Sequence, residues 1–215
     1  MKTVLIVGNG DDNSASFYRK LAKNVDFIIG VDGGAGKLYA HHIKFNLAIG
    51  DFDSISHKVL SSIKKSGIRI LEFHKDKDYS DTELAIQFAL KNHFDKFVLS
   101  GMCGKRIDHT LFNISLMYML LKKRKDVCII EEDKEIYITK DKISINTRKG
   151  NIVSLYPITS RVQGVRASGL KYSLNGRTLS KGKTLTLSNV AISDMVQVEI
   201  LKGVLLLIVY SFNPL

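Results

Sequence analysis

The sequence predicts an α/β domain followed by an all-β domain, and two changes of texture carry that expectation. Up to about residue 130, short β-rich runs alternate with stretches of helical periodicity; after Glu131 the runs are short, β-branched and often alternating. With 215 residues, 45% hydrophobic content and two prolines, the chain has apolar material for a sizeable core, which excludes a disordered or fibrous protein.

The amino-terminal half opens with Thr3 to Val7, an apolar run closed by Gly8-Asn9-Gly10, and Ser14 to Asn24 then sets Phe17, Leu21 and Val25 at helical spacing. Strand followed by helix begins a βαβ unit. The pattern repeats in Asp26–Val31 with Ala35–His42, in Leu47–Ile49 with Ser56–Ser66, and in Arg69–Phe73 with Asp81–Asn92. Lys96–Leu99, a helix over Asp108–Lys123 and Val127–Ile130 complete six strands, which implies a doubly wound, mostly parallel sheet. Seven β-rich runs follow: Ile136–Thr139, Lys142–Thr147, Ile152–Tyr156, Val162–Ala167, Thr184–Leu187, Met195–Leu201 and Val204–Ser211. The charged stretch from Glu131 to Glu135 reads as the junction, giving domains over 1–130 and 131–215, although a solvated hairpin turn has the same composition.

Composition narrows the function without fixing it. Lys and Arg number 32 against 21 Asp and Glu, and a net charge of +11 suits phosphate-rich partners: nucleotides, nucleic acid or an anionic membrane. Nucleic-acid binding is disfavoured, because the cations are dispersed, tryptophan is absent and basic residues are not interleaved with aromatics. The one tight basic run, Lys122 to Lys125, sits at a helix end where cations favour the dipole. The longest clear apolar run, Val204 to Tyr210, falls far short of the roughly 18 residues that span a bilayer. Thr3 to Val7 is also too short for a signal-peptide core, so the chain reads as cytoplasmic with no membrane partner. Cys103 and Cys128 lack metal-site or disulfide spacing and read as thiols.

Ligands of open parallel sheets bind in the loops beyond the strand carboxyl ends, and four such loops stand out. In Asp32-Gly33-Gly34-Ala35-Gly36-Lys37 the glycines permit close backbone approach and a helix start offers unpaired N–H groups to an anion, although alone it reads as a tight turn. It is not a Walker A loop, since Val31 and Leu38 occupy positions needing glycine and a hydroxyl residue. Gly8-Asn9-Gly10 fails the dinucleotide pattern because Asn13 holds the third glycine position.

Gly50-Asp51-Phe52-Asp53-Ser54 places two carboxylates two residues apart, on one side of an extended segment, where they can share a hard cation; helix capping by Asp53 or Ser54 is the structural alternative. Lys77-Asp78-Tyr79-Ser80-Asp81-Thr82-Glu83 adds two aspartates and a lysine; a capping box explains Ser80 and Glu83 but not Asp78. Gly101-Met102-Cys103-Gly104-Lys105-Arg106-Ile107-Asp108-His109 supplies glycines, two cations and an acid, with Arg106 suited to bidentate phosphate contact and His109 to a helix-start role. Together the four loops describe a metal–nucleotide site.

In that order, Asp32-Gly33-Gly34-Ala35, Gly50-Asp51-Phe52-Asp53-Ser54, Lys77-Asp78-x-Ser80-Asp81-x-Glu83 and Gly101-x-x-Gly104-x-Arg106-x-Asp108-His109-x-Leu111-x-Asn113 resemble the thiamine pyrophosphokinase family. The likeness continues through Gly169-Leu170-Lys171-Tyr172-x-Leu174 and Ser188-Asn189, nearly the whole chain. The resemblance implies transfer of pyrophosphate from ATP to the hydroxyl of thiamine, giving thiamine diphosphate and AMP, by a homodimer with an α/β catalytic domain and a carboxyl-terminal β-sandwich. The nearest alternative is another Mg2+-dependent phosphotransferase or a nucleotide hydrolase.

The resemblance also implies roles for residues. Asp51, Asp53 and one or both of Asp78 and Asp81 would hold Mg2+ and, with Arg106 and Asp108, carry catalysis. Asp32, Gly33, Gly34, Lys77, Gly104, Arg106 and His109 would bind the nucleotide, and Ser188 and Asn189 the thiamine. Two positions depart from the pattern: Ser80 replaces the usual threonine and keeps its hydroxyl, whereas Lys105 replaces a glycine and is expected to strain the loop if that position needs a positive φ.

Overall fold

In the computed structural model, which describes residues 1–74, 76 and 78–211, the strand–helix alternation runs as β1 (Thr3–Val7), α1 (Ala15–Ala22), β2 (Phe27–Val31), α2 (Gly33–Ala40), β3 (Leu47–Gly50), α3 (His57–Lys65), β4 (Arg69–Glu72), α4 (Asp81–Lys91), β5 (Lys96–Ser100), α5 (Ile107–Lys122) and β6 (Asp126–Ile130). These elements form the unit Met1–Glu131, and the remainder, Glu132–Leu215, forms a second unit.

The six strands pair in the order β6-β5-β1-β2-β3-β4, every pair parallel. Central strands β1, β2, β3 and β5 are almost wholly buried and edge strand β4 is not, which is why only the former read as uninterrupted apolar runs. Helices cover the sheet, α2 against β1 and β2 and α4 across β1 to β3. Serine side chains start three helices by accepting a backbone N–H: Ser14 from Phe17, Ser56 from Val59 and Ser80 from Glu83. Successive strands step outward from β1 to β4, and the chain then crosses back to β5 on the other side of β1. The strand order therefore reverses between β1 and β5, and a crevice opens beyond their carboxyl ends.

The second unit is a sandwich of two antiparallel sheets. One holds β7 (Lys134–Thr139), β9 (Ile152–Pro157), β14 (Leu205–Tyr210) and β12 (Asn189–Val190), in the order β12-β9-β14-β7. The other holds β8 (Lys142–Asn146), β10 (Arg161–Ser168), β11 (Leu174–Ser180) and β13 (Met195–Glu199), in the order β11-β10-β13-β8. Inward residues of both sheets share one core, Val153, Leu155, Leu205 and Leu207 from one and Val162, Val165, Val196 and Val198 from the other. Each such side chain contributes about 1.5–3 kcal/mol by leaving water.

Here the structure corrects the sequence reading at one place. Thr184–Leu187 was expected as a strand and is a turn closed by Leu187 N–H donating to the Thr184 carbonyl, with Leu185 and Leu187 exposed. The strand in that region is β11, an edge strand of polar sequence in which Leu179 alone is fully buried, so it carries no alternating apolar signal.

Candidate active site

The crevice at the β1/β5 reversal is a cleft of about 550 Å3 within the first unit. Its lining comes from the segments after β1 (Gly8 to Asp11), β2 (Asp32), β3 (Asp51), β4 (Tyr79 to Thr82) and β5 (Gly101, Met102 and Gly104 to Arg106), together with His109 and Asn113 of α5.

One wall is acidic. Oxygen atoms of Asp32, Asp51 and Asp53 lie within 4.8 Å of one another. The convergence does not arise from an extended segment, as the spacing had suggested, because Phe52 between the two β3-loop aspartates is buried with φ 59°. That left-handed residue makes a tight turn in which Asp53 N–H donates to Asp51 Oδ1 at 3.1 Å. Ser56 is the cap of α3, so the capping alternative for Asp53 and Ser54 falls away.

Asp32 joins the trio through its own unusual backbone, φ 51° and ψ −128°, at the start of α2. Its side chain makes no cap bond there, and Oδ1 instead accepts the Phe52 N–H at 3.0 Å. Partial burial pushes its carboxyl up to about 6, with the charges of Asp81, Asp51 and Asp53 adding to the shift. Gly50 permits this approach, since a Cβ there would stand 2.7 Å from Asp32 Oδ1. Asp81, in the first turn of α4, lines the same cleft, whereas Asp78 is exposed in the bend before it and stands outside the trio. Lys77 lies outside the described residues.

Gly33 and Gly34 do not line the cleft. They are buried where α2 packs on the end of β1: a Cβ at Gly34 would meet the Val7 carbonyl oxygen at 2.0 Å, and one at Gly33 would meet the Asn9 side chain at 2.1 Å.

The loop after β5 brings cations to the same cleft. Gly104, Lys105, Arg106 and His109 line the cleft, and Arg106 begins α5. The fork expected to face phosphate is held by Asp108, with Nε to Oδ1 at 3.1 Å and Nη2 to Oδ2 at 2.5 Å. Both side chains are exposed, and the guanidinium holds the Asp108 carboxyl down at about 2. Lys105 does not adopt a positive φ, so the strain expected from its replacing glycine is absent.

Three cleft features escaped the sequence reading. Asn9 and Asp11 line it from the loop after β1, a loop set aside because it failed a glycine pattern; its position beside the strand-order reversal was the signal available. Asn113, whose Nδ2 donates to the Met102 carbonyl at 2.8 Å, appeared as part of a motif without a role of its own.

Ser188 and Asn189 belong to the second unit. Ser188 has φ 56° and its N–H donates to Ser154 Oγ at 2.9 Å. Asn189 is buried, with Oδ1 accepting from Tyr172 N–H at 3.1 Å and Nδ2 donating to the Tyr172 carbonyl at 2.8 Å. Its amide thus holds the backbone of exposed Tyr172.

Comparison with known proteins covers both units. The family model for the thiamin pyrophosphokinase catalytic domain matches residues 18–129, and that for the thiamin pyrophosphokinase vitamin B1 binding domain matches residues 135–205. Thiamine pyrophosphokinase of Bacillus subtilis is 31% identical, over 97% of this chain and 98% of its own. Its crystal structure superposes with a TM-score of 0.86 at 28% identity, covering 98% of this chain and 99% of that one. Yeast thiamin pyrophosphokinase shares the fold, with a TM-score of 0.82 at 18% identity over 97% of this chain and 86% of its own. Two domain models matched in order and a relative similar over almost its full length place this chain in the thiamin pyrophosphokinase family.

Proposed function

We propose that this chain transfers the pyrophosphoryl group of ATP to the hydroxyl of thiamine. The hydroxyl oxygen attacks the β-phosphorus, the bond from that phosphorus to the oxygen bridging the α-phosphate breaks, AMP leaves, and the hydroxyl proton is released to solvent or base. The observation that carries the reading is the switch-point cleft, lined by Asp32 and Asp51 of the Asp32, Asp51 and Asp53 carboxylate trio and by Lys105 and Arg106, in a chain of this family.

The donor set fits a hard divalent cation. Three carboxylates with oxygens within 4.8 Å repel one another, which adds to the burial that raises the Asp32 carboxyl, and Mg2+ prefers such ligands. Asp32, Asp51 and Asp53 would hold Mg2+, with Asp81 beside them; when bound, it supplies neutralising charge to the phosphate oxygens. Arg106 presents its guanidinium to phosphate once Asp108 is exchanged for the ligand, and Lys105 adds a flexible cation at the same rim. Positioning and electrostatic stabilisation of this kind are the main protein contributions to transfer at phosphorus.

The remaining assignments extend the same reading. The α/β unit takes the nucleotide and metal. The sandwich binds thiamine through the Ser188-Asn189 segment and forms a homodimer, and the enzyme works in the cytoplasm; no helix among the described residues is long and apolar enough to cross a membrane. Incubation with ATP, Mg2+ and thiamine, followed by mass identification of products, tests the activity. Thiamine diphosphate and AMP in equal amounts are expected, and thiamine monophosphate with ADP overturns the reading. Sedimentation of the purified chain tests the dimer.

A further inference from the structure

The residue following β6 carries a carboxylate buried to 5% exposure that no part of the proposed chemistry uses. Glu131 Oε2 accepts from Gly101 N–H and Asn13 Nδ2, each at 2.8 Å, and from Ser100 Oγ at 3.3 Å. Its Oε1 accepts from Met102 N–H at 2.8 Å and Cys103 N–H at 3.3 Å. Three successive backbone N–H groups therefore converge on one side chain, an arrangement that usually cradles an anion and is here filled by the protein's own carboxylate.

Strand register explains the encounter. β6 lies parallel to β5 with Ile129 opposite Leu99, so the residue just past β6 sits beside the turn just past β5. Gly101 has φ +64°, a left-handed step that turns the Met102 and Cys103 N–H groups to the carboxylate that already holds its own. The same turn is pressed against the loop after β1: Gly10 N–H donates to the Gly101 carbonyl and Asp11 N–H to the Cys103 carbonyl, both at 2.6 Å. Lys37 on α2 donates to the Gly10 carbonyl.

These paired loops form much of the cleft, where Gly8 to Asp11, Gly101, Met102 and Gly104 to Arg106 are lining residues and Glu131 is not. A carboxylate behind a phosphate site opposes an anion electrostatically, so what Glu131 can contribute is geometry. It satisfies three N–H groups that would otherwise be buried without partners, and in doing so sets the turn that delivers Lys105 and Arg106.

We propose that Glu131 is a positioning residue for the nucleotide, its buried carboxylate fixing the Gly101–Gly104 turn at the phosphate side of the cleft. The inference rests on the reading of this cleft as the ATP site. Glu131→Gln keeps the shape but turns an NH2 group toward at least one backbone N–H that cannot rotate away. Asn13→Ala is the milder variant, removing one donor to Glu131 and leaving the three N–H bonds in place.

The test is steady-state kinetics with ATP and thiamine varied in turn, beside thermal melts. Glu131→Gln is expected to raise the ATP KM about tenfold or more, on the scale of a small displacement of binding groups, with the thiamine KM held within about twofold. Asn13→Ala should shift the ATP KM in the same direction by less. A purely structural Glu131 predicts lower melting temperatures with both KM values unchanged in the folded enzyme, and that result overturns the inference. Should Glu131→Gln fail to fold, Glu131→Asp, which keeps the charge and shortens its reach to the three N–H groups, takes its place, and an unchanged ATP KM in that variant overturns the inference. A wild-type chain that makes no thiamine diphosphate overturns the functional reading itself, which separates the two failures.

Discussion

The Phe52 backbone N–H donates to Asp32 Oδ1 at 3.0 Å, joining the loop after β2 to the loop after β3 at two residues that both have positive φ. Backbone conformations of this kind cost about 1–3 kcal/mol each. Here they bring three carboxylates to one point, so the fold accepts both local strain and like-charge repulsion at the place where we propose that a cation binds.

Asp32→Asn separates those terms. The amide oxygen can still accept the Phe52 N–H, while the half-buried negative charge disappears. The melting temperature in chelator is expected to stay level or rise, because repulsion with Asp51, Asp53 and Asp81 is relieved. Turnover at saturating ATP is expected to fall by about two orders of magnitude, on the scale of losing a ligand to a catalytic cation. Paired melts and Mg2+ titrations of activity check both halves; normal activity with unaltered Mg2+ dependence removes Asp32 from the ligand set.

Asp51→Asn and Asp53→Asn should likewise lower turnover by about two orders of magnitude with a nearly unchanged melt. Ser56→Ala supplies the contrast. It deletes the observed cap of α3 and should cost about 1 kcal/mol of stability while the folded enzyme turns over normally. If the aspartate variants behave like Ser56→Ala, the two carboxylates serve structure alone.

At the cationic rim, Arg106→Lys keeps the charge and loses the fork, and turnover should fall at least about tenfold. Lys105→Gly should leave turnover within about threefold, since Lys105 contributes a single flexible charge. It is not expected to stabilise the loop, because Lys105 has no positive φ for glycine to relieve. The reverse ranking in kinetic assays would assign the phosphate contact to Lys105.

Two glycines of α2 should respond in opposite directions. An alanine at Gly34 would set its Cβ 2.0 Å from the Val7 carbonyl oxygen, whereas one at Gly36 would meet Ile55 side-chain carbons at an ordinary 3.7 Å. Gly34→Ala must push α2 off β1 and should lower stability by about 3 kcal/mol or more. Gly36→Ala should raise it by about 0.5–1 kcal/mol through helix propensity. Differential scanning calorimetry distinguishes them, and equal melts would show that α2 is less tightly seated than its geometry implies.

By itself the sequence determined the six-strand α/β alternation, the change to β-structure after Glu131 and the capping serine Ser80, because each is written within one element or one turn. It also marked Asp51, Asp53, Arg106 and His109, which stand where strand ends meet helix starts. Edge strand β11 was lost because a mostly exposed strand has no apolar period to read. The grouping of Asp32 with Asp51 and Asp53, rather than of Asp78 with them, was decided by φ values at Asp32 and Phe52 that no composition announces. The attachment of Glu131 to a turn 28 to 30 residues earlier was decided by β6 lying beside β5. Local pattern reports which face of an element is buried; which strands become neighbours depends on the whole sheet, and the site is assembled from residues that only that pairing brings within hydrogen-bond reach.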